Sequence, residues 1–143
     1  MGFGYGPIPT AVQTNTAAPT GTASATLVMA GLAGAITPSV TGRMLFMVSG
    51  NMANNTTNDG CKVQLSYGTG GAPSNGGALT GTQTGTICIT TQDLTGADKC
   101  GFAIQSWVST LTVGTTYWLD VAFAAITGGT ASLTDVTITA LEM

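Results

Sequence analysis

Apolar and polar side chains alternate along two runs near the end of the chain, residues 117–126 and residues 133–141. A period of two predicts β-strands. The apolar positions are Tyr117, Leu119, Val121, Phe123, Ala125, Val136, Ile138 and Ala140. Because Gly128 and Gly129 lie in the short connection between the runs, the sequence predicts that the two strands pair as an antiparallel hairpin.

The segment before the first run contains Leu111, Gly114 and Tyr117. This spacing is typical of a tyrosine corner, in which a ring near the start of a strand hydrogen-bonds through its hydroxyl to backbone upstream. A turn followed by an ordinary core tyrosine is the alternative. The first interpretation favours a Greek-key sandwich.

Short apolar runs separated by turn residues continue through the rest of the chain from Ala25 onward. They predict strands at residues 25–33, 43–50, 61–68, 84–91, 99–108, 116–126 and 132–141, with a possible short strand near 35–40. No segment keeps the 3.6-residue period of an amphipathic helix for more than one turn. The predicted fold is therefore an all-β antiparallel sandwich of seven or eight strands.

Several of these strands are apolar on both faces. Residues 44–48 have no polar member, and residues 117–126 have only Asp120 as a charged one. A strand covered on both sides of a two-layer sandwich needs a third layer, and the sequence predicts that another subunit supplies it. The candidate interface residues are Met44, Phe46, Trp107 and Trp118.

Residues 1–22 differ from the remainder, which is predicted to form the sandwich domain at 23–143. Glycine alternates with aromatic residues and two prolines follow, which fits neither a helix nor a central strand. The prediction is an extended N-terminal arm that docks on a neighbouring subunit, and a disordered tail is the alternative. The candidate arm contacts are Phe3, Tyr5, Pro7, Ile8 and Pro9.

Charged residues are scarce. They make up 6% of the 143 residues, against about 25% in typical soluble domains. Arg43, Lys62 and Lys99 are the three cations, too few to form the basic patch that nucleic acid or an anionic membrane requires. Glycine and threonine supply much of the remaining composition. Low charge and positive mean hydropathy indicate a chain that hides part of its surface in an assembly.

The residues that usually carry catalysis are also scarce. The chain has no histidine, and neither a nucleophile elbow nor a phosphate-binding glycine loop occurs, so no catalytic residue and no cofactor are predicted. Asn54, Asn58 and Asp59 could offer oxygens to calcium but lack the regular ligand spacing, and no metal site is predicted. Trp107 and Trp118 could serve as sugar platforms, although their place within apolar strands favours a core or interface role.

The three cysteines do not form a CxxC motif. Cys61 and Cys100 alternate with apolar residues and are predicted to be small buried hydrophobes, with a Cys88–Cys100 disulfide as the alternative. No secretory signal is expected, because the first cation is Arg43, and residues 27–36 are too short to cross a bilayer. We therefore expect synthesis in a cytoplasm.

Four segments resemble the small β-sandwich virion proteins of tailed bacteriophages: TGRMLFMVSGN at 41–51, VQLSYGTG at 63–70 followed by Ala72 and Pro73, LTVGTTYWLD at 111–120, and TGGTA at 127–131. The resemblance covers residues 25–143. It implies a jelly-roll homotrimer without catalytic activity, located in the virion, that decorates a capsid by binding the major capsid protein or another virion protein. A host-adhesion or carbohydrate-binding module of a phage tail or fibre is the alternative.

Overall fold

The computed structural model describes residues 18–91 and 98–143, together with the backbone of residues 11–15. These residues form nine β-strands. The strands are β1 (Ala11–Asn15), β2 (Val28–Met29), β3 (Gly34–Ile36), β4 (Met44–Asn54), β5 (Gly60–Thr69), β6 (Thr82–Thr91), β7 (Cys100–Val108), β8 (Tyr117–Ala125) and β9 (Ala131–Glu142). No helix occurs in the described residues, and thus none that is long and apolar enough to span a membrane.

The strands form two antiparallel sheets. Sheet A has the order β1-β9-β4-β7, and sheet B has the order β2-β8-β5-β6, with β3 also paired to β8. When β2 and β3 are counted as one interrupted strand, each sheet has four strands and the chain passes repeatedly from one sheet to the other. This connectivity is that of a jelly roll. The predicted all-β antiparallel sandwich is confirmed.

The predicted hairpin between the last two strands is wrong. β8 lies in sheet B and β9 lies in sheet A, so the turn at residues 127–130 carries the chain across the core from one sheet to the other. Alternating apolar residues mark one buried face on each strand, and they do so equally when two strands pair and when they face each other. The sequence pattern therefore could not distinguish these two arrangements.

The tyrosine corner is confirmed. The hydroxyl of Tyr117 accepts a hydrogen bond of 3.0 Å from the backbone N–H of Thr112, five residues upstream. Its ring lies 6.3 Å from that of Tyr67, which in turn lies 5.5 Å from the ring of Phe46. The corner therefore connects the loop before β8 to the aromatic part of the core.

The main core lies between the sheets. Its largest fully buried apolar side chains are Phe46, Phe123, Met44, Met52, Leu65, Leu119, Leu133, Val48, Val63 and Val121. Two of these, Met44 and Phe46, were predicted interface residues, yet neither has any exposed surface in the single chain. Their burial therefore needs no partner subunit, which removes the reason for assigning them to an interface.

A second apolar cluster covers the outer face of sheet B. It contains Met29, Trp118 and Ala122, and partly buried Leu27, Ala33 and Leu79 pack against it. The third layer over β8 is therefore supplied by this chain's own loops and not by another subunit. Trp118, 6% exposed, belongs to this layer and is likewise removed from the predicted interface.

Two glycines make room for the indole of Trp118. A Cβ atom on Gly81 would lie 2.4 Å from Cη2 of Trp118, and one on Gly68 would lie 2.6 Å from its Cζ2. Gly81 also has a φ of +77°, which side chains of L-residues rarely adopt. The indole N–H donates to the carbonyl oxygen of Thr69 at 3.3 Å, so the ring is fixed by packing and by a hydrogen bond.

Part of the predicted arm belongs to the sandwich. Residues 11–15 form β1 at the edge of sheet A, where Ala11 pairs with Leu141, and Thr22 pairs with Ala131. The structure thus begins the sheet before the boundary that the sequence indicated at residue 22. The predicted arm contacts Phe3, Tyr5, Pro7, Ile8 and Pro9 lie outside the described residues.

Candidate functional site

The outer face of sheet A carries a line of apolar side chains that run across three strands. Leu45 of β4 pairs with Trp107 of β7 on one side and with Leu141 of β9 on the other. Directly opposed residues of antiparallel strands point to the same face, about 5 Å apart. We call Trp107, Leu45 and Leu141 the apolar row. Trp107 is 50% exposed and the two leucines are partly exposed.

Beside the apolar row lies a shallow depression without charge, which we call the polar hollow. It has a volume of about 460 Å³. The outward-facing residues that line it are Met47, Ser49, Ala103, Gln105, Thr137 and Thr139. None of these residues, and none of the apolar row, is charged. The centre of this sheet face can thus contact another uncharged surface without burying an ion.

Trp107 was predicted as an interface residue, and it is the one of the four candidates that reaches the surface. The alternation in β7 indicates why: Phe102, Ile104 and Val108 point into the core, and Ala103 and Trp107 point outward. The structure does not bring the four candidates together. Met44 and Phe46 lie in the main core, and Trp118 lies on the opposite side of the molecule.

Three buried carboxylates fix loops to strands. Glu142 is 2% exposed and accepts hydrogen bonds from the backbone N–H groups of Ser39, Val40 and Thr41 at 2.7–2.8 Å. It also accepts one from the hydroxyl of Ser39 at 2.9 Å, and a longer one from the N–H of Gly42 at 3.4 Å. The loop between β3 and β4 therefore wraps around a single carboxylate of β9.

Asp120 has the same role on sheet B. Its carboxylate is fully buried and accepts hydrogen bonds from the backbone N–H groups of Gly31 and Leu32, both at 3.0 Å, and of Val121 at 2.7 Å. Burial raises the pKa of Asp120, and the hydrogen bonds from the three N–H groups oppose that rise. These contacts hold the loop between β2 and β3 over the second apolar cluster.

Asp59 joins two turns at one end of the sandwich. Its oxygens accept hydrogen bonds from the backbone N–H groups of Gly60, Thr127 and Gly128 and from the hydroxyl of Thr127, at 2.5–3.1 Å. Burial opposes ionisation of this carboxyl, but the hydrogen bonds outweigh it and lower the pKa of Asp59 to about 2. The group is a permanent acceptor at neutral pH.

The hydrogen bonds of Asp59 and Asn54 limit what these side chains can bind or catalyse. Four donors of the protein surround the carboxylate of Asp59, and the side-chain oxygen of Asn54 accepts from the N–H of Thr56 at 2.9 Å. Oxygens that are used in this way are poorly placed to bind calcium. A carboxyl group with a pKa of about 2 carries no proton to donate at neutral pH and is a weak base, so Asp59 is unsuited to acid–base catalysis.

All three cysteines are free thiols. Cys61 is buried in the core, and this burial raises its pKa to about 12. Cys88 and Cys100 are partly buried and are not bonded to each other, in contrast to the disulfide alternative. Cys61 behaves as the small hydrophobe that the alternation predicted.

No family model matches the chain, and no curated protein matches it. Among solved structures, it is similar to the C-terminal domain of EclA, described as a sugar-binding protein, with 14% identity and a TM-score of 0.43 over 94% of this chain and 80% of that one. It is similar to the Eiger TNF of S. frugiperda, with 12% identity and a TM-score of 0.43 over 77% and 64%. It is also similar to a protein of infectious bursal disease virus, Gx strain, with 13% identity and a TM-score of 0.49 over 95% and 38%. These similarities are too low to show a family or a function for the chain.

Proposed function

We propose that this protein is a non-enzymatic structural protein of a virion, a capsid decoration protein that associates with itself and with the particle through the outer face of sheet A. The observation that carries the proposal is the apolar row, in which the half-exposed Trp107 lies in line with Leu45 and Leu141, next to the uncharged polar hollow. An apolar patch with polar surroundings is typical of docking surfaces, and tryptophan is the residue most often found at their energetic centre.

The roles of the buried carboxylates support a function without catalysis. Glu142, Asp120 and Asp59 serve as acceptors for loop backbone, so half of the six acidic residues are committed to holding the fold. The resemblance of the sequence to phage virion proteins points the same way. The proposed partners are further copies, as a homotrimer, and a major capsid protein or another virion protein.

The exposed part of Trp107 sets the scale of the interaction. A tryptophan offers up to about 250 Å² of surface, so half exposure leaves about 120 Å² to be buried. At about 25 cal/mol per Å², its burial contributes about 3 kcal/mol at each contact. Because a trimer makes three such contacts, this single side chain offsets a large part of the entropic cost of association.

Sedimentation of the full chain and of two variants tests the proposal. Trp107→Asp should weaken self-association by at least 100-fold and abolish co-sedimentation with particles that lack the protein. Ile89→Asp is the matched control, because Ile89 is 55% exposed but lies in sheet B, and it should change neither. A full chain that remains monomeric at tens of micromolar and does not bind particles would refute the proposal.

A second candidate function is glycan binding, as a host-adhesion or carbohydrate-binding module. The specific observation is that Trp107 lies beside the polar hollow on the same face, where Gln105, Ser49 and Thr139 offer an amide and hydroxyls without any charge. Neutral sugars bind to such a combination of an aromatic face and a few polar groups. A glycan array distinguishes the candidates: saturable binding that Trp107→Ala abolishes, by a monomeric chain, would favour the adhesin.

A further inference from the structure

We propose that residues 1–10 of a neighbouring copy lie across the apolar row, with Phe3, Tyr5 and Ile8 in contact with Trp107, Leu45 and Leu141. This inference rests on the proposed self-association through sheet A and names the segment that occupies the face. The contact would be reciprocal around the oligomer, so that each copy donates one arm and receives another.

The strand register places the start of β1 at the apolar row. Ala11 pairs with Leu141, Leu141 pairs across β9 and β4 with Leu45, and Leu45 pairs with Trp107. These four residues form one line across sheet A. Since adjacent strands lie about 4.8 Å apart, Ala11 is about 14 Å from Trp107. β1 therefore begins at the same level as the row.

The length and stiffness of the preceding segment favour the row of a neighbour over the row of the same copy. Ten residues can extend over about 33 Å, well beyond the width of the row. Pro7 and Pro9 fix their own backbone φ angles and restrict the residues before them to extended conformations. Two prolines so close to Ala11 disfavour an immediate reversal onto the sheet face of the same copy, which favours a neighbouring copy as the acceptor.

The chemistry of the segment matches the surface. Residues 1–10 carry no charged side chain, and neither does the apolar row or the polar hollow. Phe3 and Tyr5 alternate with Gly2, Gly4 and Gly6, so an extended backbone presents both rings on one side and no side chain on the other. The glycines also allow the backbone to approach a surface closely.

Photo-crosslinking in the complete chain tests the inference. A benzophenone amino acid replaces Phe3, and equal amounts of ¹⁵N-labelled and unlabelled protein are unfolded together, refolded and irradiated. We expect crosslinked peptides that join position 3 to β4, β7 or β9, with labelled–unlabelled pairs making up about half of them. Crosslinks only within one copy, or crosslinks to other parts of the surface, would overturn the inference.

Sedimentation of variants separates this inference from the proposed function. Phe3→Ala/Tyr5→Ala and Trp107→Ala should each weaken self-association by at least 10-fold, and their combination should be no weaker than the worse of the two, as expected for groups that contact each other. Ile89→Ala is the control. If Trp107→Ala weakens association and Phe3→Ala/Tyr5→Ala does not, the arm inference is wrong and the proposed function stands. If the complete chain is monomeric, the arm inference is wrong, and if it also fails to bind particles, the proposed function is wrong as well.

Discussion

Replacement of Glu142 by alanine should destabilise the protein more than any other change of a charged residue in the described part of the chain. The substitution removes the acceptor of five hydrogen bonds from Ser39, Val40, Thr41 and Gly42, while β9 itself remains paired to β4. The loop between β3 and β4 would lose the group around which it is organised.

The expected loss of stability depends on how exposed the loop between β3 and β4 is. Hydrogen bonds to a charged acceptor each contribute about 1.5–3 kcal/mol, but Ser39, Val40 and Thr41 are exposed, so water can replace much of what their N–H groups lose. We therefore expect a loss of about 3 kcal/mol and a fall in Tm of about 10 °C. Glu142→Gln keeps the volume and one acceptor oxygen, and should lose about half as much.

Differential scanning calorimetry and urea unfolding measure both variants against wild type. Asp135→Asn is the control, because Asp135 is exposed, accepts a bond from Asn51, and has a φ of +55° that asparagine tolerates. Its Tm should change by less than about 2 °C. If Glu142→Ala melts within 2 °C of wild type, or no lower than Asp135→Asn, the carboxylate does not hold the loop as described.

Three further predictions concern pH, packing and thiol reactivity. The pKa of Asp59 is lowered from 3.8 to about 2, so its contribution to stability is complete above pH 4 and is lost as the pH falls towards 2. Asp59→Asn should therefore flatten the pH dependence of the unfolding free energy, measured by urea unfolding, in that window. An unchanged slope would contradict this. Gly81→Ala should lower Tm by at least 5 °C and alter the fluorescence of Trp118. Gly71→Ala is the control, because a Cβ atom there would meet nothing, and it should do neither. Equal effects of the two substitutions would refute the close packing of Gly81 against the indole. In the native protein at pH 8, Cys61 should resist iodoacetamide while Cys88 and Cys100 react first. Mass mapping measures the three rates. Modification of Cys61 as fast as that of Cys88 and Cys100 would be inconsistent with the burial of Cys61 and its pKa of about 12.

Most strands could be predicted from the sequence, because short apolar or alternating runs between turn residues mark them. In β7, the alternation of buried and exposed residues places Trp107 on the outward side. The sequence pattern could not show which sheet a strand joins. Leu119 and Ile138 point inward whether β8 and β9 pair or face each other, and the hairpin prediction failed for that reason.

The interface prediction failed for three of its four residues, because an apolar side chain does not reveal whether its own chain or another subunit covers it. Trp118 is covered by loops of its own chain, and a sequence pattern does not record which loop folds back over a strand. One acidic residue of the sequence did indicate that a loop covers β8. Asp120 lies within an otherwise apolar strand, and a carboxylate in that position requires several donors nearby.

The buried carboxylates also govern when the fold can be completed during synthesis. Glu142 lies 103 positions after Ser39, and Asp120 lies 89 positions after Gly31. At about 5–20 residues per second, a ribosome makes each loop about 5–20 s before the carboxylate that fixes it. Both loops therefore remain solvated and unattached until β8 and β9 have been made.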